Sequence, residues 1–150
     1  MKVLFDTNII LDVLLDRKPF VEFSSGLVSF AENKVIEGYL CATTITTIDY
    51  LVAKAHGRKK AKLTIHKLLS IFQIAEVNKD VLLLSTDSNF SDFEDAVQHY
   101  AGQLAFVDSI VTRNNADFKQ AEYPVYSPDE LWGIIQLAKK EVTHTAPFLK

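Results

Sequence analysis

Three aspartates from separate parts of the chain are the residues best suited to chemistry: Asp6 in FDTN, Asp95 in DFEDAVQHY and Asp117 in TRNNADF. Asp6 directly follows the apolar burst VLF, Asp117 stands a few residues beyond VDSIVT, and Asp95 lies early in the amphipathic stretch that leads into VDSIVT. Acids gathered without basic partners repel one another, which raises their pKa values and destabilises the fold unless a divalent cation neutralises them. All-oxygen ligation points to Mg2+ or Mn2+ and away from zinc.

Two of these acids, Asp6 and Asp95, have a structural alternative. Asp6 is placed to cap the helix that IILDVLL suggests, where a carboxylate bonds the free amides of the first turn. Asp92 and Asp95 are three apart on one helical face, so they form either a metal pair or a helix-starting acid beside an outward neighbour. Other chemistries find no support. His56, His66, His99 and His144 show no HExxH spacing, the single Cys41 completes no zinc set or internal disulfide, and GxSxG and GxxxxGK[ST] motifs are absent.

The elements that must position these acids follow from apolar patterning. KVLF, GYLCAT, FQIAEV, VDSIVT and PVYS are short and largely non-alternating, as expected of strands covered on both faces of a parallel sheet. Between them, NIILDVLL, FVEFSSGLVSFAEN, TIDYLVAKAHG, AKLTIHKLLSIF, KDVLLLST, DFEDAVQHYAGQL and PDELWGIIQLAKK space apolar residues by three and four, as helices do. The outline is βαβαβαβαβα with some double-helix crossovers. In open parallel sheets, ligands bind outside the carboxyl ends of the strands, where Asp6 falls. Ser127, Pro128 and Glu130 predict a capping box at the start of the last helix, which assigns Asp129 and Glu130 to helix initiation.

The chain of 150 residues, 48% of them hydrophobic, is sized for one domain, here 1–140, with 141–150 as an aperiodic tail. A net charge of −3 gives no global attraction to nucleic acid. A local one is available in HGRKKAKLTIHK, whose Arg58, Lys59, Lys60, Lys62 and Lys67 either meet phosphates or form a solvated helix face. No stretch is long and apolar enough to span a membrane, and the lone cysteine fits a reducing compartment, so a soluble cytoplasmic protein is expected.

FDTNIILD, DFEDAVQHYA and VDSIVTRNNADF, in this order and spacing, resemble the PIN domain family over about Met1 to Leu137, most closely the bacterial branch of VapC-type toxins. The resemblance implies a three-layer α/β/α sandwich with a five-stranded parallel sheet and Mg2+- or Mn2+-dependent RNA cleavage. It also implies a small antitoxin partner and a homodimer. By position, Asp6, Asp95 and Asp117 match the family's metal-binding acids, Asn8 and Thr112 match polar positions lining the pocket, and Asn114 stands where many relatives carry an acid; the resemblance implies supporting hydrogen bonds from these three. Arg113, next to Thr112, is placed either to hold a phosphate or to pair with a carboxylate. The family's usual glutamate in the second motif falls at Thr47. Asp49 is the nearest acid, but two helical residues turn a side chain by ~200°. The resemblance therefore also admits a catalytically silent module that binds RNA or protein. Phe20, Phe23, Phe30 and Tyr50 serve either a partner face or the core. Dehalogenase-like phosphotransferases need DxD where this chain has Asn8, and receiver domains need an acidic pair that is missing here.

Overall fold

The computed structural model describes residues 1–145, with side chains through 141. Five parallel strands, β1 (Lys2–Phe5), β2 (Glu37–Cys41), β3 (Gln73–Ala75), β4 (Ser109–Val111) and β5 (Val125–Tyr126), form one sheet in the order β3-β2-β1-β4-β5. Every pairing is parallel, and Leu4 lies between Tyr39 on one side and Ile110 on the other. From β1 the chain winds outward through β2 and β3, then returns to the other side of β1 for β4 and β5. The strand order thus reverses between β1 and β4, and this is where an open α/β sheet leaves a crevice.

The sheet is buried on both faces. Val3, Phe5, Leu40 and Val111 join one core with α1 (Thr7–Leu14), α2 (Val21–Glu32), α3 (Ala42–His56), α4 (Arg58–Ile71) and α7 (Pro128–Thr145). Leu4, Cys41, Ala75 and Ile110 join a second with α5 (Lys79–Thr86) and α6 (Phe93–Leu104). Successive strand side chains point to opposite faces, so KVLF feeds both layers, which explains its unbroken apolar run. Three layers result, as the patterning predicts. Phe30 stacks on Trp132 at 4.8 Å and Phe23 meets the same ring edge-on, which assigns these two aromatics to the α2–α7 seam. Tyr50 stays 64% exposed.

Gly102 lets α6 lie close on the sheet. A Cβ there would meet the Tyr123 hydroxyl at 2.6 Å and the Leu4 and Val107 side chains at 3.0 and 3.1 Å. This close approach sets the height of the helix that carries Asp95.

Two boundaries differ from expectation. α3 begins at Ala42, five residues before the Thr47 suggested by periodicity, because CATT holds too few apolar residues to reveal its helical turn. The last helix runs through Thr145, into the segment that sequence assigns to a tail, the first helix-breaking residue after Pro128 being Pro147. The remaining tail, 146–150, lies outside the described residues. Among the described residues, no helix is long and apolar enough to cross a membrane.

Candidate metal centre

Asp6 is the first residue beyond β1, and its backbone amide donates to the Val111 carbonyl at 3.0 Å, which fastens it to β4 at the switch point. It occupies the N-cap position of α1, yet its carboxylate makes no capping bond to that helix; the Ile9 amide is satisfied by the Asp6 backbone carbonyl instead. Gln98 Nε2 donates to Oδ1 at 3.1 Å, and the Thr112 hydroxyl to Oδ2 at 2.8 Å. A helix cap therefore does not account for this acid. The residue is only 4% exposed.

The other two acids arrive on separate elements. Asp92 caps α6, its Oδ1 accepting from the Asp95 amide at 3.0 Å, so Asp95 stands in the first turn and half-buried. Asp117 lies on a short 3-10 turn, Asn115–Phe118, that sequence periodicity does not reveal, and is exposed. Burial pushes the Asp6 carboxyl above its ordinary pKa; hydrogen bonds from Gln98, Thr112 and the Thr7 amide oppose the rise, and the charge of Asp117 adds to it. Asp95 is pushed up to about 7, first by burial and then by the charges of Asp92, Asp6, Asp117 and Glu94. The three acids thus act on one another across three elements. None of them forms an ion pair with a Lys or Arg among the described residues.

This donor set suits a hard divalent cation in charge and atom type. Among the described residues, no three His, Cys, Asp or Glu side chains stand at closed metal-binding spacing. Ligation by all three acids needs side-chain rotation or intervening water, and Mg2+ characteristically keeps several waters.

The supporting residues divide. Thr112 touches Asp6 and accepts the Asn114 amide at 3.0 Å, so both belong to the site, and Asn8 lies half-buried in the first turn of α1. Arg113 turns away from the three acids: its Nε donates to Asp12 Oδ2 at 2.8 Å, and its guanidinium lies 4.2 Å above the Phe20 ring. Of the two roles open to Arg113, it takes carboxylate pairing, with an acid inside α1. Asp49 is corrected outright as a substitute acid, since Arg58 grips both its oxygens at 2.6 and 2.8 Å on the exposed side of α3. Arg58 is consequently engaged, as is Lys67 with Glu32, while Lys59, Lys60 and Lys62 are exposed along α4.

Near the expected glutamate position, α3 offers hydroxyls. Thr44 is buried, its Oγ1 lying 2.8 Å from Thr7 Oγ1 and donating weakly to Gln98 Oε1 at 3.5 Å, and Thr47 is half-buried one turn on. Gln98, Thr44 and Asp12 escaped the sequence pattern. Two signals were available: Gln98 falls three residues after Asp95 on the same helical face, and Asp12 interrupts an apolar helix, where a charge requires a partner.

A parallel sheet covered by helices on both faces, with acids from three elements influencing one another near its switch point, defines an α/β protein with an acidic candidate site. The chain belongs to the PIN domain family, whose model matches residues 2–116. It is similar to Ribonuclease VapC1 of Aquifex aeolicus (strain VF5), at 27% identity over 134 residues, covering 86% of this chain and 92% of that protein. Its fold matches a toxin-antitoxin complex from Klebsiella pneumoniae with a TM-score of 0.64, at 21% identity, covering 84% of this chain and 97% of that one. FitAcB from Neisseria gonorrhoeae matches with a TM-score of 0.65, at 20% identity over the same shares of each chain.

Proposed function

We propose that this protein is a divalent-metal-dependent ribonuclease and the toxin of a VapBC-type toxin-antitoxin pair. The observation that carries this is Asp6: a buried carboxylate at the switch point, held by neutral donors and exposed to the charges of Asp95 and Asp117 from two other elements. The resemblance to Ribonuclease VapC1 supports RNA as substrate, and the toxin-antitoxin neighbours support a small antitoxin partner. A second copy of the chain completes the assembly as a homodimer, and the cytoplasm is its place of action.

Asp6, Asp95 and Asp117 would hold Mg2+ or Mn2+. Such an ion supplies an activated water for in-line attack on the phosphodiester and charge neutralisation at the leaving oxygen. No protein nucleophile is needed. Thr112 and Gln98 fix Asp6, while Asn8 and Asn114 offer hydrogen bonds at the rim. The exposed Lys59, Lys60 and Lys62 attract phosphates, since surface cations near a cleft raise the local concentration of a polyanion.

A second reading, a silent module that binds RNA or protein, draws on Thr47 at the usual glutamate position and on the open spacing of the three acids. Purified protein incubated with total RNA and Mn2+ or Mg2+, beside Asp6→Asn and Asp95→Asn, separates the two. Metal-dependent products from the parent alone support the nuclease. RNA binding without products, and without metal uptake by calorimetry, supports the module.

A further inference from the structure

Gln98 is only 4% exposed in the middle of α6, a place where an unsatisfied amide is costly and where leucine or methionine would pack without that cost. Its retention therefore calls for partners at both ends. The Thr7 backbone amide lies 3.3 Å from one end, and since a backbone N–H only donates, that end is the carbonyl oxygen Oε1. The Thr44 hydroxyl, 3.5 Å away, also faces Oε1. The opposite end is then Nε2, 3.1 Å from Asp6 Oδ1. The amide orientation, which geometry often leaves ambiguous, is here fixed by its neighbours.

The same logic applies across the carboxylate. Thr112 Oγ1 accepts the Asn114 amide at 3.0 Å, which leaves its own hydrogen for Asp6 Oδ2 at 2.8 Å. Each Asp6 oxygen thus accepts from one fixed side-chain donor. Neither donor atom is arranged to accept a proton from Asp6, so the arrangement favours the carboxylate over the acid.

We infer that Gln98 is a positioning residue for the metal centre: it locks the direction of the Asp6 carboxylate by bridging that acid to the Thr7 amide in the first turn of α1. The inference rests on Asp6 being a metal ligand. Gln98 is three residues after Asp95, on the same face of α6, so one helix delivers a ligand and also the amide that orients a second ligand on another element. Partners behind a ligand characteristically matter by 10–100-fold in metal affinity.

The test is Mn2+ affinity by calorimetry, well below the melting temperature, for the parent, Asp6→Asn, Gln98→Met and Thr44→Val. Gln98→Met fills the same space without a donor and is expected to weaken Mn2+ binding by about tenfold or more. Thr44→Val leaves both the Thr7 and Asp6 bonds of Gln98 in place and is expected to change affinity by less than about threefold. Gln98→Asn keeps an amide but is one methylene too short to span both partners, and it serves as a second variant if Gln98→Met does not fold. Gln98 variants that bind Mn2+ as tightly as the parent, with only a lower melting temperature, overturn the positioning role. A parent whose Mn2+ binding is absent, or is unchanged in Asp6→Asn, overturns the metal centre itself and this inference with it.

Discussion

Replacing Arg113 by methionine tests whether the segment carrying Thr112 and Asp117 is held to α1 by one buried ion pair. Asp12 has no exposed side-chain surface; Arg113, 26% exposed, donates to it at 2.8 and 3.4 Å. The other cation near Asp12, Arg17, is 38% exposed and lies at 3.5 Å. Removing one partner of a buried pair costs roughly 3–5 kcal/mol because the surviving charge is left without compensation. Arg17 offsets part of this, whereas the lost contact with the Phe20 ring adds about 0.5–1 kcal/mol, so a net loss of about 3 kcal/mol is expected. For a chain of this size that lowers the melting temperature by about 6–12 °C. Thermal and urea melts of Arg113→Met measure it. The double variant Asp12→Leu with Arg113→Met should recover a large part of the loss, because the stranded charge is gone. A drop under about 2 °C for Arg113→Met, or a double variant less stable by the full sum of the singles, refutes the assignment of this pair as the tether.

Other expected outcomes follow from the same geometry. Asp95 is raised to about 7, above its unfolded value, so the folded state binds the extra proton. Metal-free protein should therefore lose stability as pH rises from about 4 to about 7, Asp95→Asn should flatten that slope in thermal melts, and saturating Mg2+ should oppose it. Gly102→Ala should cost about 1–3 kcal/mol in urea unfolding, since the added Cβ drives α6 against Tyr123 and Leu4. Replacing Lys59, Lys60 and Lys62 together by alanine should leave the melting temperature unchanged and lower the slope of log affinity against log salt by about 2 for single-stranded RNA, read by filter binding. Arg58→Ala removes an exposed, solvent-screened pair with Asp49 and should leave the thermal melting curve nearly unchanged.

Local pattern was enough to find the strands and most helices. KVLF matches β1 residue for residue, because its run Val3–Phe5 is buried on both faces of the sheet and must be apolar there. The Ser127–Glu130 capping box is present as read, with the Ser127 amide donating to Glu130 at 3.0 Å, because capping depends on neighbours three residues apart. The start of α3 was illegible for the converse reason: its first turn owes its place to Thr44 meeting Thr7 and Gln98, contacts that span 37 and 54 residues.

The sequence by itself determined a doubly covered parallel sheet and three acids placed near strand ends and a helix start, since period and composition are local properties. Which acids influence one another was decided only by the tertiary structure, as was the diversion of Arg113 to Asp12 and of Asp49 to Arg58. Side-chain pairing depends on where strand order reverses and on which helix faces meet, and neither is encoded in any one stretch of the chain.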